Sequence, residues 1–307
     1  MDDLTMVSEG GGGLSPATPP ENFKPLTYEN KWDPKLVRPA ANNIRHAAML
    51  GLKEIEMEPV RRGKMIVVGS SPSVVNYIEQ IREFKKDPDN QVFTVNRAHY
   101  LLINHGIIPD GALVFEIEKR SYEFLEGPHP DCTYYICSIC DPYAFDQLKH
   151  SKRYVWHCWS DIWEHQKALN DGFGKMKEGG QVTPPLMIGG GFTTFLRTLT
   201  VGYVIGWRDF ELFGVDSSFD EGTASHFFGT PDYGGEVTFC YAKTSDPTPD
   251  NPQGLKKYWS KAYLIRQADE FKNHCDAWHK DFKMRVWGEG LLPDIHRYAY
   301  PRMYGDK

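Results

Sequence analysis

Gly69-Ser70-Ser71-Pro72-Ser73 follows the apolar run Met65–Val68 and enters a segment with helical spacing. A strand that turns into a helix in this way can gather an anion. The first-turn N–H groups have no helical partner, and the helix dipole adds partial positive charge there. Gly69 would let a ligand approach the backbone, Ser70, Ser71 and Ser73 add hydroxyl donors, and Pro72 suits a first helical position. The same residues also fit a plain strand-to-helix connection capped by serine. The turn is neither a Walker loop nor a GxGxxG dinucleotide turn.

Four further groups stand where strands end. Asn96-Arg97 closes Val92–Val95, where an amide can bond a ribose or base and a guanidinium can hold a phosphate. Gly189-Gly190-Gly191 precedes Thr193 and Thr194 at a helix start, a second candidate anion site; a close neighbouring strand would explain the glycines equally well. Glu116 leaves the strand Ala112–Phe115 as a lone carboxylate that could hold Mg²⁺. Asp216-Ser217-Ser218 follows an apolar strand, and His226 comes ten residues later in a segment rich in Gly, Ser and Asp. Asp110, in a Pro-Asp turn, reads as turn chemistry. Cys137-Ser-Ile-Cys140 lacks the second pair that a structural zinc site needs and reads as core thiols. Trp156, Trp159 and Trp163 suit stacking on a base or sugar, or packing in a core or against a partner.

These residues need a scaffold, and the pattern supplies one. Short apolar runs at Met65–Val68, Val92–Val95, Ala112–Phe115, Tyr134–Cys137, Tyr154–His157 and Glu211–Val215 read as strands covered on both faces. Helical spacing runs between several of them, over 74–86, 100–105 and 193–204. Alternation of this kind predicts βαβ crossovers and a mostly parallel sheet with helices on both faces. A helix over about 40–57 precedes this domain. A hairpin strand at 237–242, a loop at 245–254, a helix at 261–279 and a last strand at 284–287 form a C-terminal extension.

Residues 1–22, with the stretch SEGGGGLSPATPPEN, cannot bury a core and read as a disordered tail. The remaining organisation is a helical segment over 23–60, an α/β domain over 61–220 and an extension over 221–307. The 307 residues are 40% hydrophobic and 25% charged, an ordinary globular balance. A net charge of -6 argues against a broad surface for extended nucleic acid, though a local basic pocket for one nucleotide remains compatible. No apolar run approaches the roughly 18 residues that would suggest a membrane helix, and no secretory signal is visible. Six cysteines in a chain of this length do not make a disulfide framework, so the thiols read as free in a cytoplasmic setting.

The order of these features carries a resemblance. Gly69-Ser-Ser-Pro-Ser73 is followed by Val92-Phe-Thr-Val-Asn96-Arg97 and then Leu101-Leu-Ile-Asn-His-Gly106-Ile-Ile-Pro109-Asp110. The strand ending at Glu116, Gly189-Gly-Gly-Phe-Thr-Thr194 and Phe210-Glu-Leu-Phe-Gly214-Val-Asp216 complete the series. Over about 60–220 this resembles the 6-hydroxymethylpterin diphosphokinase MptE-like family. The segment Trp287-Gly-Glu-Gly-Leu-Leu-Pro293 is similar to an ending common in bacterial and phage members.

The resemblance implies a Rossmann-like fold related to bacterial sialyltransferases, whose corresponding turn contacts a cytidine nucleotide sugar. Family members include pterin diphosphokinases and motility accessory factors that decorate flagellin with nonulosonic acids. It therefore implies a nucleotide-binding transferase, with glycosyl transfer from a CMP-nonulosonate-like donor as the first reading. His226 then becomes the candidate general base beside Asp216, since imidazole accepts protons near neutral pH. In a Mg²⁺-ATP diphosphokinase, Asp216 and Glu116 would instead position magnesium and phosphates. Ser70 and Ser71 stand where the family's turn usually carries Asn and Gly, and Glu116 where an Asp is common. These departures fit a third reading, a nonenzymatic nucleotide- or glycan-binding protein on the same fold.

Overall fold

The first helix begins at an aspartate. Asp33 accepts a hydrogen bond from the Lys35 N–H at 2.9 Å, Pro34 occupies the first helical position, and helix α1 runs over Pro34–Met49. The computed structural model describes residues 33–119, 127–178, 180–221, 237–278 and 280–304. The tail expected over 1–22 lies outside them. The helix expected over 40–57 thus starts earlier and stops earlier. Gly51 takes a left-handed φ of 59°, and the chain beyond it is extended, with Ile55 N–H bonding Val155 O at 3.0 Å. Backbone pairing with a strand replaces the last helical turns.

Strands β1 (Met65–Val68), β2 (Gln91–Val95), β3 (Gly111–Val114), β4 (Thr133–Cys137), β5 (Lys152–Cys158), β8 (Met187–Ile188), β9 (Asp209–Phe213) and β12 (Lys283–Val286) form an eight-stranded parallel sheet. Their central residues are almost all buried, as continuous apolar runs demand when both faces are covered. The remaining strands are two short antiparallel pairs. β6 (Lys175–Met176) pairs with β7 (Val182–Thr183), and β10 (Val237–Lys243) with β11 (Leu255–Lys261). The latter pair confirms the expected hairpin.

Within the described residues the chain forms two compact units, each assembled from separated stretches. The first takes in 33–67 and 80–208. There β1, β2, β3, β4, β5 and β8 are neighbours in that order. Helices α2 (Ile78–Lys86), α3 (Ala98–Asn104), α4 (Pro142–Gln147), α5 (Trp163–Phe173) and α6 (Thr194–Val204) connect the strands. Helix α1 packs on α5, and Asn43 on α1 donates to Ile139 O at 2.9 Å. The helices α4 and α5 are absent from the sequence reading, because each carries too few periodic apolar positions to stand out.

The second unit takes in 68–79 and 209–304. Here β9 and β12 pair in parallel, with Phe210 opposite Met284. Helix α7 (Ala262–Trp278) and helix α8 (Leu291–Ala299) accompany the β10–β11 hairpin. Tyr77, Phe213 and Trp287 form an aromatic core; the Phe213 and Trp287 rings stack with centroids 5.5 Å apart. Trp287 also donates to Glu211 Oε2 at 2.6 Å, which satisfies a buried carboxylate. No helix among the described residues is long and apolar enough to cross a membrane.

Candidate functional site

The first strand-to-helix turn is built differently from its sequence expectation. Residues Pro72–Tyr77 wind as a 3-10 helix before α2 begins, so the uninterrupted α-helix expected from Val74 is not formed. Its buried Val74 packs against Gly214. Gly69 lies close against the chain that follows β9. A Cβ on it would stand 2.4 Å from Gly214 O and 2.9 Å from Val215 Cγ1. Gly214 is the reciprocal case, with φ 63° and a would-be Cβ 2.7 Å from Gly69 O. Ser71 is likewise engaged: its N–H bonds Gly214 O at 2.9 Å and its Oγ accepts from Asp216 N–H at 3.1 Å.

Asp216 sits at the end of this arrangement and is 4% exposed. Ser73 Oγ donates to its Oδ1 at 2.8 Å. Burial pushes the carboxyl up to about 7, and the Ser73 hydrogen bonds hold it below where burial alone would place it. The next two residues are locked from several sides. Ser217, with φ 55°, accepts at Oγ from Gln267 and at its carbonyl from Ser260. Ser218 Oγ accepts from Leu291 N–H at 2.8 Å, and Asp216 O from Leu292 N–H at 3.0 Å. The first N–H groups of α8 are thus satisfied by this turn.

Sequence reasoning missed the loop that closes over Asp216. Gly288 and Gly290, with φ 116° and 141°, press on it so closely that a Cβ on Gly288 would lie 2.8 Å from Asp216 Oδ1. A Cβ on Gly290 would lie 2.7 Å from Ser218 Oγ. The available signal was the pair of glycines in Trp287-Gly-Glu-Gly-Leu, whose positive φ values only glycine adopts freely.

In the first unit a second group forms around Asn96. The residue ends β2 in the left-handed region, φ 49°, a conformation that asparagine tolerates better than most. Its Nδ2 donates to Thr194 Oγ1 at 3.2 Å, while its buried Oδ1 has no hydrogen-bond partner. Thr194 Oγ1 donates in turn to Phe115 O at 3.4 Å, joining the ends of β2 and β3 to the start of α6. Thr193 caps α6 by accepting from Leu196 N–H, so its role there is structural. Gly190 and Gly191 take φ values of 112° and 90°, and a Cβ on exposed Gly189 would meet nothing within 4 Å. Gly189 thus has open space beside it, unlike Gly69.

Arg97 precedes α3 and accepts a backbone bond from Leu101 N–H. Glu116 folds back, its Oε1 accepting from Ile117 N–H at 3.0 Å. No group of three or more His, Cys, Asp or Glu that could hold a metal occurs among the described residues. His226 lies outside the described residues. Asp110 is structural, accepting from Lys85 Nζ at 2.7 Å and Val92 N–H at 2.8 Å. All six cysteines are free and buried; burial pushes Cys132 and Cys240 up to about 12 and Cys137 well above the usual thiol range. Trp156 is core, whereas Trp159 and Trp163 are exposed.

Comparison with known proteins agrees with this architecture. A structure of the MAf glycosyltransferase from Magnetospirillum magneticum AMB-1 superposes with a TM-score of 0.60 at 15% identity, covering 83% of this chain and 37% of that one. The chain therefore spans little more than a third of that protein, and the likeness is one of fold. No curated protein matches the sequence. Residues 40–222, over half of the chain, match the family model described as 6-hydroxymethylpterin diphosphokinase MptE-like. On its strand-end turns, its parallel sheet and that match, the chain belongs to the MptE-like family.

Proposed function

We propose that this protein is a nucleotide-binding transferase that moves a sugar from a nucleotide-activated donor, a CMP-nonulosonate-like compound in the first instance. The observation that carries the reading is the Asn96–Thr194 contact. It places an amide with an unspent oxygen at the C-terminal end of a parallel strand, where α/β sheets bind ligands. Asn96 and Arg97 would meet the base, ribose or phosphate. Gly189, Gly190 and Gly191, with Thr193 and Thr194, would present backbone N–H groups to the phosphate. In the other unit the first turn would offer Ser70, supported by Gly69, as a phosphate contact of its own, since Ser71 and Ser73 are engaged internally.

Transfer forms a glycosidic bond from the acceptor hydroxyl, breaks the bond to the leaving nucleotide and releases the hydroxyl proton. Asp216 and His226 are the candidate acceptors of that proton. A carboxyl held near 7 is matched to this work at neutral pH. The fold likeness to the MAf glycosyltransferase supports the sugar reading.

The family description favours a second reading, pterin-type diphosphokinase activity with Mg²⁺-ATP. In that reading Glu116 and Asp216 would be the carboxylates that meet the magnesium and phosphates, with Glu116 Oε1 already accepting from Ile117 N–H.

Thermal-shift titration with CMP, CTP, ATP and GDP, with and without Mg²⁺, tests both. A nucleotide at 100 times its Kd should stabilise the fold by about 2.7 kcal/mol. CMP stabilisation without metal supports the sugar reading, and magnesium-dependent ATP stabilisation supports the diphosphokinase. A protein unmoved by all four has no nucleotide site. One that binds CMP but transfers no sugar is the nonenzymatic binder.

A further inference from the structure

Arg197 stands on the first turn of α6, three residues after Thr194 and therefore on the same face of the helix. Its guanidinium is held from two sides. Nη1 donates to Ile188 O at the end of β8, a carbonyl that also accepts from Trp159 N–H at 2.8 Å. The guanidinium lies over the Phe115 ring, 5.7 Å from its centroid, and that ring meets buried Trp156 with centroids 5.5 Å apart.

These contacts fix the group and leave its other edge unbonded. Nε is buried without a hydrogen-bond partner. Among the described residues Nη2 has no acceptor and no carboxylate pairs with the guanidinium. Acidic side chains are not in short supply, since the chain carries 41 Asp and Glu against 35 Lys and Arg. A buried N–H without an acceptor is costly, and Nε with Nη2 is an edge that donates two parallel bonds to one oxyanion. Next to Ile188, the N–H groups of Gly190 and Gly191 make no backbone hydrogen bond among the described residues, and Gly189 borders open space.

The unbonded groups are complementary in kind. Arg197 offers donors and a positive charge, whereas Asn96 Oδ1 is a buried acceptor without a partner. Phe115 joins the two. Its ring carries Arg197, and its carbonyl accepts from Thr194 Oγ1, the hydroxyl that meets Asn96 Nδ2. A nucleotide has both halves of this pattern: an N–H or O–H on its base or ribose, and a phosphate a few bonds away. A simple carboxylate answers only one half.

We infer that Arg197 is the charged residue of a phosphate site, in which its Nε–Nη2 edge and the N–H groups of Gly190 and Gly191 take the oxygens. Under the transferase reading, on which the inference rests for its ligand, the phosphate is the nucleotide's and the base or ribose lies toward Asn96.

The Arg197 Nε–H signal of the ¹⁵N-labelled full chain, assigned by its loss in Arg197→Lys, reads the site directly. Inorganic phosphate and CMP, each at millimolar concentration, should move it saturably, and cytidine should leave it in place. Arg197→Met should weaken CMP binding about tenfold or more, as loss of a charge-assisted bond requires, and change cytidine binding by less than about twofold. Arg197→Lys should recover part of the CMP loss, because it keeps the charge without the paired edge. The titration of the parent stands whether or not Arg197→Met folds. The phosphate site is overturned if neither phosphate nor CMP moves the signal. It is overturned equally if acetate moves the signal and phosphate does not, which would give Arg197 to a carboxylate. Equal weakening of CMP and cytidine in Arg197→Met would make the residue a structural support and overturn it too. The nucleotide reading fails separately: a response to phosphate with no thermal shift from any nucleotide keeps the phosphate site and removes the nucleotide.

Discussion

The Ser73 hydroxyl donates to Asp216 Oδ1 at 2.8 Å and so ties the first strand-to-helix turn to the chain leaving β9. The bond holds a nearly buried carboxyl whose proton affinity is set mainly by burial. Its consequences for stability have a definite sign. With a folded value near 7 against 3.8 for the ordinary group, Asp216 favours the fold fully below about pH 4. That stability is lost as pH rises toward 7 and is gone above it, a difference of roughly 4 kcal/mol. Asp216→Asn should remove the slope, leaving urea-unfolding stability at pH 8 equal to or above that of the parent. A slope that persists in the variant would assign the effect to another group.

Ser73→Ala removes the donor without adding bulk. It should cost about 1.5–3 kcal/mol at pH 8, where the bond is to a charged acceptor, and less at pH 5. The Asp216 titration midpoint, followed by the carboxyl ¹³C shift, should move upward. A downward or unchanged midpoint would contradict the hydrogen bond.

Gly69 and Gly214 face each other so closely that neither accepts a side chain. Gly69→Ala and Gly214→Ala should each destabilise by about 1–3 kcal/mol or more through overpacking. Gly214→Ala carries an added penalty of about 1 kcal/mol for its left-handed backbone. Gly189→Ala should cost little by comparison, because its Cβ would enter open space. Chemical denaturation of the three variants distinguishes a structural glycine from one available to a ligand.

Asn96 separates backbone from side chain. Asn96→Gly keeps the left-handed conformation available and should remain within about 1 kcal/mol of the parent. In the proposed site it should weaken CMP binding by at least tenfold, read as loss of the thermal shift. Normal CMP binding by this variant would remove Asn96 from the site.

Glu54 gives a dependence on the acid side. Its bond to His157 Nε2, 3.1 Å long, holds the carboxyl below the usual range of 4.5. The stability it contributes is present above that range and lost as pH falls through the lowered value. Glu54→Gln should flatten the acid limb of the stability profile. Glu54→Ala should cost about 1–3 kcal/mol at pH 7, because a buried imidazole loses a partner.

Much of the scaffold was legible along the chain. Runs such as Met65–Val68 and Ala112–Val114 carry no polar residue, as suits a strand covered on both faces. The order of strand-end turns marked the family, and the positions of Asn96, Thr194 and Asp216 followed from strands ending where apolar runs end. Helices α4 and α5 were hidden because their buried faces are narrow. The end of α1 was misplaced because the pairing of Ile55 with Val155 spans a hundred residues.

What each glycine and serine is for was decided only by tertiary structure. Local sequence shows that Gly69, Gly189 and Gly288 can each take conformations or approaches closed to other residues; it does not show what approaches them. Across the fold, Gly69 meets the backbone of Gly214, Gly288 meets the carboxylate of Asp216, and Gly189 meets open space. Ser71 and Ser73 similarly offered donors in sequence and were engaged by a strand about 140 residues away. Backbone propensity is a property of neighbours in the chain, and it fixed the strands and turns. Desolvation and close contact are properties of neighbours in space, and they alone set the chemistry of Asp216.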